Sequence, residues 1–168
     1  QVDVVEDDGG GLAAHLQCPI YFVLGNHDFY RGSIGAVREQ MRHLNQENSR
    51  LTYLTQSGII PLSDSTCLIG HDGWPDGRNG DYERSPVLLN DFLLIRDFRR
   101  PDQTIPRLDP EVRRHWLTVM QRLSAEATNY LETQVAEALP NFSHLLIATH
   151  VPPFREASLY SGHISGDN

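Results

Sequence analysis

A single stretch, Pro19-Ile20-Tyr21-Phe22-Val23-Leu24-Gly25-Asn26-His27-Asp28, constrains the chain more than any other. An apolar run rich in β-branched and aromatic side chains extends from a proline to a glycine, which predicts a strand buried on both faces. Gly25 permits a turn that a Cβ would hinder. An amide, an imidazole and a carboxylate then emerge together at the strand's carboxyl end, where α/β sheets usually bind ligands. Such a trio can supply a metal ligand, a proton donor and an orienting group. The same residues also suit a helix cap or a simple turn.

A second stretch repeats the plan. Leu145-Leu146-Ile147-Ala148-Thr149-His150-Val151-Pro152-Pro153-Phe154 is an apolar strand, a histidine and two prolines. The prolines end the ladder and stiffen the exit, so His150 is presented at a strand end as Asn26 and His27 are. Two strands of one sheet that both end this way can converge on one cation.

These two stretches resemble the third and fourth of the five signature blocks of the calcineurin-like metallophosphoesterases: Gly25-Asn26-His27-Asp28 and Thr149-His150-Val151-Pro152-Pro153. Gly70-His71-Asp72-Gly73-Trp74-Pro75-Asp76-Gly77-Arg78 resembles a segment of a bacterial branch of that family. The resemblance runs from about residue 18 to the end of the chain. The family's first block, Asp-x-His, has no counterpart. Its second, Gly-Asp, has only Asp3 as a candidate, with Val2 where glycine belongs. Its fifth, Gly-His-x-His, is half imitated by Gly162-His163-Ile164-Ser165. The expectation is a single, partial domain over residues 1–168, the middle of a longer enzyme.

What the resemblance implies is hydrolysis of a phosphoester at a two-metal centre. Asn26 and His150 would ligate one metal, His27 would act as general acid, and Asp28 would orient from behind. Two divalent cations are implied, Mn²⁺, Fe or Zn²⁺ suiting mixed imidazole, amide and carboxylate donors. The implied fold is a four-layer α/β/β/α sandwich, here incomplete. Alone, such a chain should hold metal weakly and turn over little. The competing class is a non-enzymatic binding or scaffold domain, against which His27 speaks, since a scaffold needs no general acid.

Composition narrows the partners. With 168 residues and a formal net charge of −8, the chain can bury a core but lacks the basic surface expected for broad nucleic-acid or membrane binding. No apolar run approaches a membrane span, no signal peptide stands out, and a cytoplasmic location is the default expectation. Oligomeric state and substrate identity are not legible. Cys18 and Cys67 form no disulfide framework, and each abuts an apolar run, so both read as buried thiols.

The remaining elements follow in order. Residues 1–11 read as an acidic, glycine-rich lead-in, and Leu12 to Gln17 as a helix end. Ser33 caps a predicted amphipathic helix over 34–46, with Arg38, Glu39 and Arg42 on a solvated face. Leu51 to Thr55 is a short strand. Gly58 to Leu62 and Thr66 to Gly70 form a hairpin across Ser63-Asp64-Ser65, which predicts a mixed sheet. Residues 71–86 form a long loop of turn residues, where Asp72 either pairs with Arg78 or meets substrate. Asn90 to Phe98 reads as one helix and Pro101 to Pro106 as a linker. Asp109 before Pro110 starts a helix to Leu139 whose apolar stripe packs on the sheet. His115 and His144 read as structural.

Overall fold

The computed structural model describes residues 18–78, 81–100, 109–160 and 163–164, and the expectations for Asp3, Leu12 to Gln17 and Pro101 to Pro106 lie outside them. The architecture is mixed α/β. β1 (Ile20–Phe22) pairs in parallel with β2 (Leu51–Tyr53) in the register Ile20↔Leu51. β3 (Ile60–Pro61) and β4 (Thr66–His71) form the expected antiparallel hairpin, and β5 (His144–Thr149) lies parallel to β4. A last pair, β6 (Leu159–Tyr160) and β7 (His163–Ile164), is antiparallel. Gly162 and Ser165 fall outside the described residues.

Two expectations for the first strand are corrected. β1 is not buried on both faces, because Tyr21 is 36% exposed. Nor does β1 share a sheet with β5: among the described residues its ladder is with β2 alone, whereas β5 borders β4. The two strand ends still meet, because the segments beyond the strands are brought together by other contacts.

Helix α1 (Ile34–Glu47) begins where Ser33 predicts, the Ser33 hydroxyl accepting from Ala36 N at 3.3 Å. Asp97 adds a second cap from afar, accepting from Ile34 N at 2.8 Å. That contact helps to explain why residues 90–98 are not one helix. α2 (Asn90–Leu94) stops, Ile95 adopts extended backbone, and a 3-10 turn follows over Arg96–Phe98. Arg31 N donates to Leu94 O at 2.7 Å and Arg96 N to Gly32 O at 2.9 Å. These long-range backbone bonds outweigh the modest gain of one continuous helical turn.

Helix α3 (Pro110–Ala138) carries the predicted start, with the Asp109 carboxylate accepting from Glu111 N and Val112 N at 3.0 and 2.9 Å. Its stripe from Val112 to Ala127 is buried, and the nearest partners include an aromatic cluster rather than the sheet alone. Trp116 stacks on Phe92 with ring centroids 4.3 Å apart and donates its indole N–H to Phe98 O at 3.0 Å. Stacking of this kind adds to area burial. Cys67 is buried as expected, but Cys18 is exposed, since β1 starts only at Ile20 and leaves Cys18 outside the packed run.

Candidate functional site

The turn that carries Asn26, His27 and Asp28 is pinned on three sides. Behind it, Leu24 N donates to Asp72 Oδ1 at 2.8 Å. Within it, residues 26–29 form a 3-10 turn whose entry is closed by Gly25 N donating to Asp28 Oδ2 at 2.7 Å. Below it, Phe29 is wholly buried and meets the Trp74 ring edge-on at 5.9 Å. The Asp28 carboxylate thus shapes the turn, as a capping residue does, and is itself exposed.

Across 124 positions of sequence, His150 Nε2 lies 3.2 Å from Asn26 Oδ1. Gly25 makes that approach possible. Its φ of −93° is ordinary extended backbone, so the turn itself does not require glycine, contrary to expectation. A Cβ there would come within 3.0 Å of His150 Cε1, 3.2 Å of Nδ1 and 3.3 Å of Nε2. The glycine leaves the room beside the backbone that the His150 ring occupies.

The other end of the Asn26 amide is also held. Its Nδ2 donates to Asp91 Oδ1 at 2.8 Å, and the Tyr30 hydroxyl donates to the same oxygen at 2.8 Å. Burial, then the bond to Asp91, pushes the Tyr30 hydroxyl up to about 12. His27 is exposed, its ring 4.7 Å from that of Tyr30 and tilted by 33°. An exposed imidazole resting on an aromatic ring is accessible to a ligand and restricted in where it can swing.

Below the turn lies a buried polar hub that sequence reasoning misread. Asp72 is 1% exposed and accepts from Leu24 N, from Thr55 Oγ1 at 2.9 Å and from the Tyr53 hydroxyl. It pairs with Arg38 Nε at 3.3 Å, not with Arg78, which pairs with Asp76 instead. Arg38 is correspondingly not a solvated surface residue: its side chain is 11% exposed and also bonds Glu126. Glu39 and Arg42, beside it, are exposed as expected, and they pair with each other. His71 is buried against Tyr130, and its Nδ1 accepts from Gly73 N at 3.0 Å. Burial, then the nearby Arg38 charge, holds its pKa below the ordinary 6.5, partly opposed by Asp72 and Glu126. Neither His71 nor Asp72 is presented outward. His144 is exposed at the start of β5, and His115 lies on α3.

The donor set can be weighed against a divalent cation. Two ligand atoms about 2.0–2.2 Å from one first-row cation, at right angles or tetrahedrally disposed, stand about 3–3.5 Å apart. The Asn26–His150 separation of 3.2 Å falls in that span. A neutral amide oxygen and an imidazole nitrogen are donors that such cations accept. Without a cation, the same distance suits an Nε2–H donating to Oδ1. Among the described residues no three His, Cys, Asp or Glu side chains converge as a metal-binding group, so Asn26 and His150 offer a cation two donors.

Tyr30, Arg38 and Asp91 were not found by sequence reasoning. Asp91 carried only the weak signal of an acidic residue in a helix's first turn. No family model, curated protein or solved structure matches the chain.

Proposed function

We propose that the chain carries part of a metal-dependent phosphoester hydrolase centre, in which Asn26 and His150 hold one divalent cation and His27 is the general acid. The observation that supports this reading is the 3.2 Å approach of Asn26 Oδ1 to His150 Nε2 beside an exposed His27. The motif resemblance supplies the reaction class. Further ligands are to come from outside the described residues, as would the strands that complete a four-layer sandwich.

When bound, two divalent cations (Mn²⁺, Fe or Zn²⁺) supply Lewis-acid charge that lowers the pKa of water and offsets charge on the phosphoryl oxygens. Asn26 gives a neutral oxygen held in place at its nitrogen end. His150 gives an imidazole nitrogen, a donor that such cations accept. His27 holds a proton and passes it to the departing alkoxide oxygen as the oxygen of a water molecule bonds to phosphorus and the ester P–O bond breaks, the water's proton passing to solvent. The resulting neutral imidazole regains a proton from solvent. Asp28 keeps the turn closed through Gly25 N, which fixes the direction in which His27 leaves the backbone.

The test is phosphate release from an aryl phosphate ester by the full-length protein with Mn²⁺, beside Asn26→Ala and His150→Ala. Metal-dependent turnover lost in both variants is expected. Folded protein whose turnover is absent, or indifferent to both substitutions, overturns the reading in favour of a non-catalytic binding or scaffold domain.

A further inference from the structure

We propose that Asp91 is a positioning residue that decides which end of the Asn26 amide faces His150. An asparagine amide has two ends of nearly equal size, one an acceptor and one a donor, so shape alone does not choose between them. An ionised carboxylate only accepts. With Asp91 Oδ1 at 2.8 Å from Asn26 Nδ2, a flipped amide would set oxygen against oxygen. The amide is therefore held with Oδ1 turned to His150, where it stands 3.2 Å from Nε2. The flipped form would offer His150 an NH₂ group, whose nitrogen lone pair is delocalised into the carbonyl and is not available to a cation.

Asp91 is itself well fixed. It is buried, it sits in the first turn of α2, and Ile95 N donates to its carbonyl oxygen at 3.0 Å. The Tyr30 hydroxyl donates to the same Oδ1 that receives Asn26, and the Tyr30 ring lies against His27. One carboxylate oxygen thus ties the orientation of the proposed ligand to the platform under the proposed acid. The consequence for cation binding rests on the functional reading above, whereas the amide orientation does not.

The experiment uses two readouts: the side-chain amide signals of Asn26 in ¹H–¹⁵N spectra without metal, and Mn²⁺ affinity followed by the electron-spin signal of free Mn²⁺. In the wild type the Asn26 NH₂ protons should exchange slowly with solvent and be widely split, and fast exchange there overturns the proposal whatever the variants do. Asp91→Ala should collapse that splitting and weaken Mn²⁺ about 10–100-fold, the range for groups that orient a ligand. Asp91→Asn should restore both only in part, because an amide there can accept from Asn26 as the carboxylate does but can also turn its NH₂ to a flipped Asn26. Tyr30→Phe, which removes only the other bond to that oxygen, should leave Mn²⁺ affinity near wild type. Asn26 signals unchanged in Asp91→Ala, or equal Mn²⁺ losses in Asp91→Ala and Tyr30→Phe that follow thermal stability, overturn the positioning role. Asn26 signals that respond to Asp91→Ala in a protein that binds no Mn²⁺ sustain the orientation by Asp91 and overturn the cation reading alone.

Discussion

The backbone N–H of Leu24 donates to the Asp72 carboxylate at 2.8 Å, so the exit of β1 is tied to a residue 48 positions further on. Through that bond the turn carrying Asn26 is anchored to a buried ion pair with Arg38. Removing one partner of a buried pair costs about 3–5 kcal/mol; here Glu126 still offsets part of the Arg38 charge, while Leu24 N, Thr55 and Tyr53 lose their buried acceptor. Asp72→Ala should therefore destabilise the fold by about that amount in urea unfolding, and Arg78→Ala should be close to neutral. Equal losses in the two variants would restore the loop-holding pair expected from sequence.

Gly25→Ala separates backbone strain from ligand placement. With φ at −93°, alanine is permitted at this position, and the exposed His150 can yield by a few tenths of an ångström. Stability should change by about 1 kcal/mol or less, while Mn²⁺ affinity falls about tenfold as His150 is pushed from Asn26. Calorimetric unfolding beside a Mn²⁺ titration reads both. A large stability loss with unchanged affinity would refute the close-approach account of this glycine.

His71 gives the fold an acid-sensitive component. Its folded pKa lies below the ordinary 6.5, from burial first and Arg38 second. The unfolded chain then binds a proton that the folded chain refuses, so stability is complete above 6.5 and is lost as pH falls through the folded pKa. Urea midpoints at pH about 7.5 and about 5.5 should differ less in His71→Asn, which keeps an acceptor for Gly73 N but cannot titrate. An identical pH response in both proteins would contradict the assignment.

For His27, the proposed role fixes a pattern across substrates. In the full-length protein, His27→Ala should keep its metal and lose about 10²–10⁴-fold in rate on an alkyl phosphate ester. The loss should shrink on a nitrophenyl ester, whose leaving group departs with less need of a proton. Loss of metal, or equal slowing on both substrates, would make His27 a ligand or a positioning group instead.

What the sequence disclosed and what it hid divide along physical lines. Ser33, Asp109 and Pro110 announce helix starts because capping is local chemistry, and the β3–β4 hairpin follows from a turn composition between two apolar runs. Asn26 and His150 were legible as a pair because each follows an apolar run that reads as a strand. Polar contacts over long separations leave no such trace. Nothing periodic marks Asp91 as the partner of Asn26, 65 positions away, or Arg38 as the partner of Asp72. Arg38 sits on what reads as the polar face of α1, and its burial is decided by an acidic group on another element. The break at Ile95 was hidden for the same reason, since the bonds that end α2 come from Arg31 and Gly32.

The most direct test of the account is where Mn²⁺ settles on the folded chain. In ¹H–¹⁵N spectra that include side-chain amides and histidine rings, paramagnetic broadening on titration should begin at Asn26 and His150. It should reach His27 next, and His71, which is paired with Thr149 beside His150; it should spare His144 at the far end of β5, and Asn26→Ala should abolish the effect. Broadening that starts elsewhere, or that persists unchanged in Asn26→Ala, would contradict a cation site built on Asn26 and His150.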